Sequence, residues 1–385
     1  MHMSSKIICF GVGIGITVFL WHSIPIMHLL PMPTGAYGVG SKEECWVDKH
    51  RADPYSPDHQ RELLVRWWYP TYTNKTLSCA PYLFSMRAAF SNVLNGQYHL
   101  SAYVWRWLLP FNSHSVLNAP IAGNAIQYPL IIFSHGFGSI PEMYSLLLEE
   151  LASHGYVVLG INHTYIAAVS KLCNGQITSA SDIHIDPFSL EKTAQIMTDD
   201  IQFVLDMIIE LASRSNDIFY QRIDGHRIGI LGHSMGGVAA LKICQTDARC
   251  KAGIDMDGWV IGLQGLAWQQ NTPFLFLLGK YGLLSSPMPT DKELHNMDMT
   301  RDAWQKQGEQ GLREIDRICS ANAQCRSIVV LDASHGEFGD WALLKKPFDY
   351  FFFPSWARLQ AQNTYTLIAN IRQQVVKFFN EFLQR

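Results

Sequence analysis

A serine between two glycines lies in the pentapeptide GHSMG at residues 232–236. An apolar run at 228–231 precedes it and the small residues GVAA at 237–240 follow it, which predicts a strand, a sharp turn and a helix. Such a turn exposes the serine hydroxyl, and its glycines avoid a clash of Cβ atoms with the neighbouring strand and helix. We therefore predict Ser234 as a nucleophile and the backbone N–H of Met235 as an oxyanion donor. The alternative is a structural turn without catalysis.

A hydroxyl is a weak nucleophile, so a base must accept its proton. His335 follows the last apolar run, at 328–331, in the sequence LDASHG. Its position after the last predicted strand favours it as that base, with His163 and His135 as the main competitors. His233 is the neighbour of the nucleophile, and we expect its side chain to point away.

The acid that orients the base is expected between nucleophile and histidine in chain order. The apolar run at 274–278 has no carboxylate close behind it, whereas the run at 253–256 leads into Asp255 and Asp257. These two residues share one face of a strand, and Asp257 lies further towards its carboxyl end. Asp257 is therefore the predicted acid, and Asp255 is predicted to be an internal structural carboxylate.

A second oxyanion donor is expected in the loop after an earlier strand. The glycine-rich sequence FSHGFG at 133–138 follows such a strand, and we assign the donor to the backbone N–H of Phe137. Paired backbone donors in a dry site lower a barrier by ~3 kcal/mol each.

The elements that must position these groups alternate along the chain, as in βαβ units. Continuous apolar runs predict parallel strands buried on both faces at 130–133, 156–161, 228–231, 253–256, 274–278 and 328–331. An early antiparallel strand is predicted at 63–69, ending at Pro70. Helical periodicity is present at 143–151, 193–211 and 368–382. Together with the serine turn, this pattern predicts an α/β-hydrolase fold, a mostly parallel sheet flanked by helices, in one catalytic domain at 31–385.

Composition excludes some functions. Hydrophobic residues make up 48% and charged residues 16% of the 385, a balance that supports a large core. The net charge of −3, without a long basic run, argues against a nucleic-acid partner. The cysteines lack the paired spacing of zinc sites, and we predict neither a metal nor a cofactor.

The segment at 1–30 differs from the rest. Lys6 is followed by an apolar stretch at 7–21, which predicts an export signal or an uncleaved membrane anchor. A buried N-terminal helix is the alternative. Either export route puts the protein outside the cytosol, secreted, periplasmic or anchored.

Eight cysteines fit that compartment. Three pairs could be bridged, namely Cys45 with Cys79, Cys244 with Cys250 and Cys319 with Cys325. Buried free thiols are the alternative, since cysteine is among the most buried residue types.

The motifs taken together resemble the plasma-type platelet-activating factor acetylhydrolases, also called lipoprotein-associated phospholipases. The resemblance rests on PTGAYGVG at 33–40, RWWYP at 66–70, FSHGFG, GHSMGG, GIDMDGW at 253–259 and the serine-histidine pair at 334–335. It implies calcium-independent release of short or oxidised acyl chains from phospholipids through an acyl-enzyme, and it also places the acid on Asp257. The sequence NHTY at 162–165 departs from the family's acidic-His-Arg-Asp.

The family docks on lipid through an exposed apolar helix, and two aromatic stretches here, at 100–109 and 348–356, are comparable. Residues expected to face lipid or substrate are Trp105, Trp107, Leu108, Trp259 and Phe351. The alternative is that they cover the core.

The sequence therefore predicts a serine carboxylester hydrolase acting on lipid esters, at a membrane or lipoprotein surface. Lipase, polyesterase or acyltransferase activity on the same residues is an alternative. So is a catalytically silent protein of this fold that binds lipid or a partner chain.

Overall fold

The computed structural model describes residues 30–72, 79–98, 112–123, 127–180, 190–258, 260, 271–281, 294, 300–344 and 357–384. All but the last residue of the predicted signal or anchor lies outside these ranges. So do the predicted lipid-facing residues, Trp105, Trp107, Leu108, Trp259 and Phe351. Among the described helices, none is long and apolar enough to span a bilayer.

A ten-stranded sheet forms the centre of the fold. Its six mutually parallel strands are β5 (Tyr128–Ser134), β6 (Val157–Asn162), β9 (Ile223–His233), β10 (Cys250–Met256), β11 (Phe274–Tyr281) and β12 (Cys325–Ser334). Each contains one of the six predicted apolar runs, except that β6 begins one residue after the start of its run. The parallel part runs in the order β12-β11-β10-β9-β5-β6, so the carboxyl ends of β9, β10 and β12 share one edge.

A mixed extension continues the sheet beyond β6. It consists of β1 (Gly38–Asp53), β2 (Ser56–Thr71), β3 (Cys79–Pro81) and β4 (Asn112–Leu117), in the order β2-β1-β4-β3. Its pairs are antiparallel except for β1 and β4, which pair parallel. The predicted antiparallel strand is part of β2, which pairs antiparallel with both β1 and β6 and continues past Pro70. A separate ribbon pairs β7 (Ser170–Lys171) with β8 (Ile177–Thr178).

Helices cover both faces of the sheet. The described helices are α1 (Arg87–Tyr98), α2 (Ser145–Ser153), α3 (Leu190–Arg214), α4 (Ile218–Gln221), α5 (Met235–Thr246), α6 (Arg301–Ala321), α7 (Trp341–Leu344) and α8 (Ala357–Leu383). Apolar residues of α1, α2 and α8 fill one core layer, and those of α3, α5 and α6 fill the other. The three predicted helices correspond to α2, α3 and α8. Gly155, with φ +92°, ends the turn after α2, a conformation that favours glycine.

The prediction that all six parallel strands are buried on both faces was wrong for β12. Val329 and Leu331 are 54% and 65% exposed. The reason is topological, because β12 is the last strand at its end of the sheet and, among the described residues, pairs only with β11.

One predicted cysteine pair was also wrong. The structure joins Cys45 to Cys173, whereas Cys79 is an exposed free thiol. Cys45 lies on β1 and Cys79 on β3, and β4 separates these two strands in the sheet. The pairs Cys244–Cys250 and Cys319–Cys325 form as predicted.

Candidate active site

The serine turn lies between β9 and α5, at the carboxyl edge of the sheet. Ser234 has φ +56°, a conformation that L residues rarely adopt, and its N–H donates to the Met256 carbonyl at 2.9 Å. A Cβ on Gly232 would overlap the Gly236 carbonyl, and one on Gly236 would overlap the Ser134 carbonyl. The backbone contacts that require these glycines therefore also hold the serine in its strained conformation.

His335 begins the short 3₁₀ turn that follows β12. Its Nε2 lies 3.0 Å from Ser234 Oγ. A capping box fixes the turn, because Glu337 accepts a hydrogen bond from the Ser334 N–H at 2.7 Å while the Ser334 side chain caps the turn in return. The histidine side chain is one-third exposed and faces the pocket above the serine.

Asp257 completes the chain of hydrogen bonds. Its Oδ2 lies 2.7 Å from His335 Nδ1, and its Oδ1 accepts the Gly279 N–H at 2.9 Å. The side chain is 1% exposed, and its backbone, with φ +53°, is anchored by a bond from its N–H to the Leu277 carbonyl. The structure thus brings the three predicted side chains, Ser234, His335 and Asp257, into one hydrogen-bonded line.

Asp255 lies beneath this line and does not reach His335. It is fully buried and accepts the Gly258 N–H at 2.8 Å, while its Oδ2 has no hydrogen-bond partner among the described residues. Burial raises the pKa of Asp255 well above its usual value, which favours its uncharged form. Its place in the interior matches the structural role that the sequence suggested.

Of the two predicted oxyanion donors, Phe137 lines the pocket above Ser234, and Met235 directly follows Ser234 in the chain. Met235 is the first residue of α5, where an N–H has no acceptor within its helix. Phe137 follows β5 in a turn fixed by hydrogen bonds from the Gly138 N–H to the Ile166 carbonyl and from the Ser139 N–H to the Gly136 carbonyl, each at 3.0 Å. None of the described hydrogen bonds uses the Phe137 N–H.

A second Ser-His-Asp chain lies below that turn and escaped the sequence analysis. His163 Nε2 lies 2.9 Å from Ser134 Oγ, and its Nδ1 lies 2.9 Å from Asp200 Oδ2. Arg61 donates to both Asp200 oxygens, at 3.1 and 2.7 Å. All four side chains are fully buried, which denies the Ser134 hydroxyl any substrate. The only sequence signal was the position of His163 after a strand.

The charge states of this buried chain follow from its surroundings. Burial would raise the pKa of Asp200, but the adjacent Arg61 guanidinium holds it well below its usual range. Burial lowers the pKa of His163, so its ring is neutral, with Nδ1–H donating to Asp200 and Nε2 accepting from Ser134. His135, the other competitor for the base, is also buried, and its pKa falls to about 3. Both histidines support the interior instead of facing Ser234.

The pocket above Ser234 has a volume of about 230 Å³. Its apolar walls come from Phe90 and Leu94 on α1, Met143 before α2, and Trp341. Among its described lining residues, there is no Lys, Arg, Asp or Glu. The α1 residues were not predicted, because an i, i+4 apolar pair is common to every packed helix.

One group of potential metal ligands occurs among the described residues, formed by Cys45, Glu62 and Cys173. The two cysteines are joined in a disulfide, so their sulfurs are not thiolate ligands. The group lies outside the pocket that contains Ser234.

Comparison with known proteins gives relatives along part of the chain. This chain is 28% identical over 176 residues to the platelet-activating factor acetylhydrolase of Canis lupus familiaris, and the alignment covers 40% of each protein. It is 29% identical over 135 residues to the probable 1-alkyl-2-acetylglycerophosphocholine esterase of Arthroderma benhamiae, covering 35% of this chain and 32% of that protein. These alignments span less than half the length of either relative.

The fold is similar to that of a ferulic acid esterase from Streptomyces cinnamoneus. The TM-score is 0.66 at 24% identity, and the superposition covers 92% of this chain and 93% of that chain. This likeness and the strand order confirm the predicted fold class. Residues 27–348 match the family described as platelet-activating factor acetylhydrolase, isoform II, and the chain therefore belongs to that family.

Proposed function

We propose that the protein is a serine carboxylester hydrolase that cleaves lipid esters through an acyl-enzyme on Ser234. The observation that carries the proposal is the line from Ser234 Oγ to His335 Nε2, at 3.0 Å, and from His335 Nδ1 to Asp257 Oδ2, at 2.7 Å. Residues 31–385 act in this proposal as one catalytic domain, because both helical layers pack on a single sheet.

The proposed reaction has two halves. His335 Nε2 takes the Ser234 proton as Oγ attacks the ester carbonyl, and Asp257 stabilises the resulting imidazolium. The N–H groups of Phe137 and Met235 donate to the oxyanion. His335 then gives its proton to the leaving alcohol, and a water activated by His335 releases the acyl group from Ser234. Each step uses groups of this chain, which is why we propose turnover without calcium.

The walls of the pocket support a short acyl chain as the group transferred. About 230 Å³ lined by Phe90, Leu94, Met143 and Trp341 suits an apolar group of a few carbons. The names of the related proteins, an acetylhydrolase and an acetylglycerophosphocholine esterase, agree with that class.

The proposed place of action is outside the cytosol, at a membrane or lipoprotein surface. The apolar segment at 7–21 and the three disulfides support export. Docking through the aromatic stretches at 100–109 and 348–356, including Trp105, Trp107, Leu108 and Phe351, remains a prediction from the sequence.

Turnover of a short-chain nitrophenyl ester and of phospholipids with graded second acyl chains tests the proposal. We expect Ser234→Ala to abolish both activities and the wild type to prefer short second chains. Unchanged turnover by Ser234→Ala would refute the nucleophile. Absence of any turnover by folded wild-type protein would favour the catalytically silent alternative.

A further inference from the structure

His233, the residue before the nucleophile, lies against the catalytic histidine, contrary to the prediction that it points away. Its Nε2 lies 3.0 Å from the His335 carbonyl oxygen, and its Nδ1 lies 2.7 Å from Tyr144 Oη. The rings of His233 and His335 are 4.6 Å apart at 30°, and Phe338 stacks on His233 with centroids 5.9 Å apart. The prediction failed because Tyr144 and the His335 backbone, both distant in sequence, offer hydrogen-bond partners to the His233 ring.

These contacts fix the proton positions of the His233 ring. A carbonyl oxygen only accepts, so His233 Nε2 must carry a hydrogen and donate it to His335. In a neutral ring Nδ1 then has a lone pair and accepts the Tyr144 hydroxyl. Burial, together with neighbouring His335, lowers the pKa of His233 well below its usual value, and burial raises the pKa of Tyr144 to about 12. Both groups are therefore neutral at physiological pH.

The other end of the pair contacts the turn that contains Phe137. Tyr144 lines the same pocket as the turn residues Gly136, Phe137 and Ser139. The same turn lies directly against His233, because a Cβ on Gly136 would be only 3.1 Å from His233 Nδ1. Hydrogen bonds thus run from Tyr144 through His233 to the backbone of His335, and the oxyanion turn packs against His233.

We propose that Tyr144 and His233 are positioning residues that fix the oxyanion turn relative to His335. The inference rests on the proposed function, since it concerns the same reaction. His335 becomes a cation when it takes the Ser234 proton, and a second cation stacked on it would oppose that step. His233, with Nδ1 occupied by Tyr144, provides a neutral ring at that place and a fixed bond to the His335 backbone.

The kinetic test compares Tyr144→Phe with Tyr69→Phe. Each variant removes one buried hydroxyl that donates a hydrogen bond, in Tyr69 to the Ala119 carbonyl at 2.7 Å, far from the pocket. We expect Tyr144→Phe to lower kcat about tenfold with KM within about twofold of the wild type, because the reacting groups lose alignment while the pocket keeps its walls. Tyr69→Phe should lose comparable thermal stability and keep its kcat. Equal kcat in Tyr144→Phe and wild type, or equal loss in both variants, overturns the proposal.

A spectroscopic readout separates this proposal from the proposed function. In protein labelled with ¹⁵N-histidine, His233 should appear as a neutral ring protonated on Nε2, and Tyr144→Phe should shift only its Nδ1 resonance strongly. A His233 ring protonated on Nδ1, or on both nitrogens at neutral pH, overturns the proposed contacts of His233 with Tyr144 and His335, whether or not the enzyme is active. An inactive wild type with the expected ring state refutes the proposed function and, with it, the kinetic role, but not the contacts.

His233→Asn serves as a second variant for the kinetic test. If His233 and Tyr144 share one role, the double variant should lose little more kcat than either single variant.

Discussion

Asp257 is held by Gly279, whose N–H donates to Oδ1 at 2.9 Å while Oδ2 faces His335. Gly279 belongs to β11, the strand whose end offers no acid of its own. The neighbouring strand therefore contributes a backbone donor that orients the carboxylate. The bond from Gly279 to Oδ1 turns Oδ2 towards His335 Nδ1, and this sets the ring orientation that Ser234 requires.

Asp257→Asn should lower kcat by about 10³ to 10⁴, because the amide keeps only one accepting oxygen for the two donors, Gly279 N–H and His335 Nδ1–H, and His335 loses its preferred tautomer. The measurement is the steady-state rate with a short-chain nitrophenyl ester. Asp316→Asn, at an exposed position on α6, is the matched control and should keep its rate. A drop of less than about tenfold in Asp257→Asn would assign the orienting acid elsewhere.

Asp340 links the segment after His335 to α2 and makes stability depend on pH. Its carboxylate accepts the Tyr82 hydroxyl at 2.6 Å and the Leu146 N–H at 3.3 Å, and burial raises the pKa of Asp340 to about 7. The unfolded chain has a pKa of about 3.9 at this group. The native state therefore binds the proton more tightly, so the contribution of Asp340 is full below about pH 4 and is lost as pH rises to about 7.

Asp340→Asn removes this titration. Relative to the wild type, its free energy of unfolding should improve by a few kcal/mol between about pH 4 and pH 8. Urea unfolding of both proteins at the two pH values measures the difference, and the other buried acids cancel because they are common to both. A difference that is the same at both pH values would show that Asp340 does not titrate in this range.

Cys173→Ser should destabilise the protein by about 2–4 kcal/mol, because the Cys45–Cys173 bond closes a loop with a sequence separation of 128. Denaturant midpoints under oxidising conditions measure the loss. Cys79→Ser is the control, since Cys79 is a free and exposed thiol, and it should leave the midpoint unchanged. Destabilisation by Cys79→Ser, with no loss in Cys173→Ser, would instead support the pairing of Cys79 with Cys45.

Leu94→Ala should widen the pocket and shift the preference towards longer acyl chains. The ratio of kcat/KM for a nitrophenyl hexanoate to that for the acetate is expected to rise about tenfold, the usual value of one or two methylenes in an apolar pocket. Leu312→Ala, at an exposed site on α6, should leave the ratio unchanged. If the ratio also stays constant in Leu94→Ala, the acyl chain does not lie against α1.

The features that could be predicted from the sequence are those that depend on residues close together in the chain. Apolar runs become parallel strands because both faces of β5, β6, β9 and β10 are covered by helices. The serine turn is recognisable because its backbone contacts demand glycine at 232 and 236. The family resemblance drawn from the motifs is confirmed by the match over residues 27–348.

The remainder depends on contacts between distant segments. β1 is a largely polar strand that was not predicted, because its partner β2 supplies most of the apolar surface. The exposure of β12 follows from its place at the end of the sheet. The same holds for Tyr144 with His233, 89 positions apart, and for Ser134 with His163. Residue type and spacing do not encode such contacts.

The central claim, a nucleophile at Ser234, is tested most directly by mapping the covalent adduct of a fluorophosphonate probe. Ser134→Ala is the matched control, because Ser134 also belongs to a Ser-His-Asp chain but is fully buried. The account predicts one adduct, on the peptide containing Ser234, in the wild type and in Ser134→Ala, and none in Ser234→Ala. An adduct on Ser134, or folded wild-type protein that stays unlabelled, would contradict it.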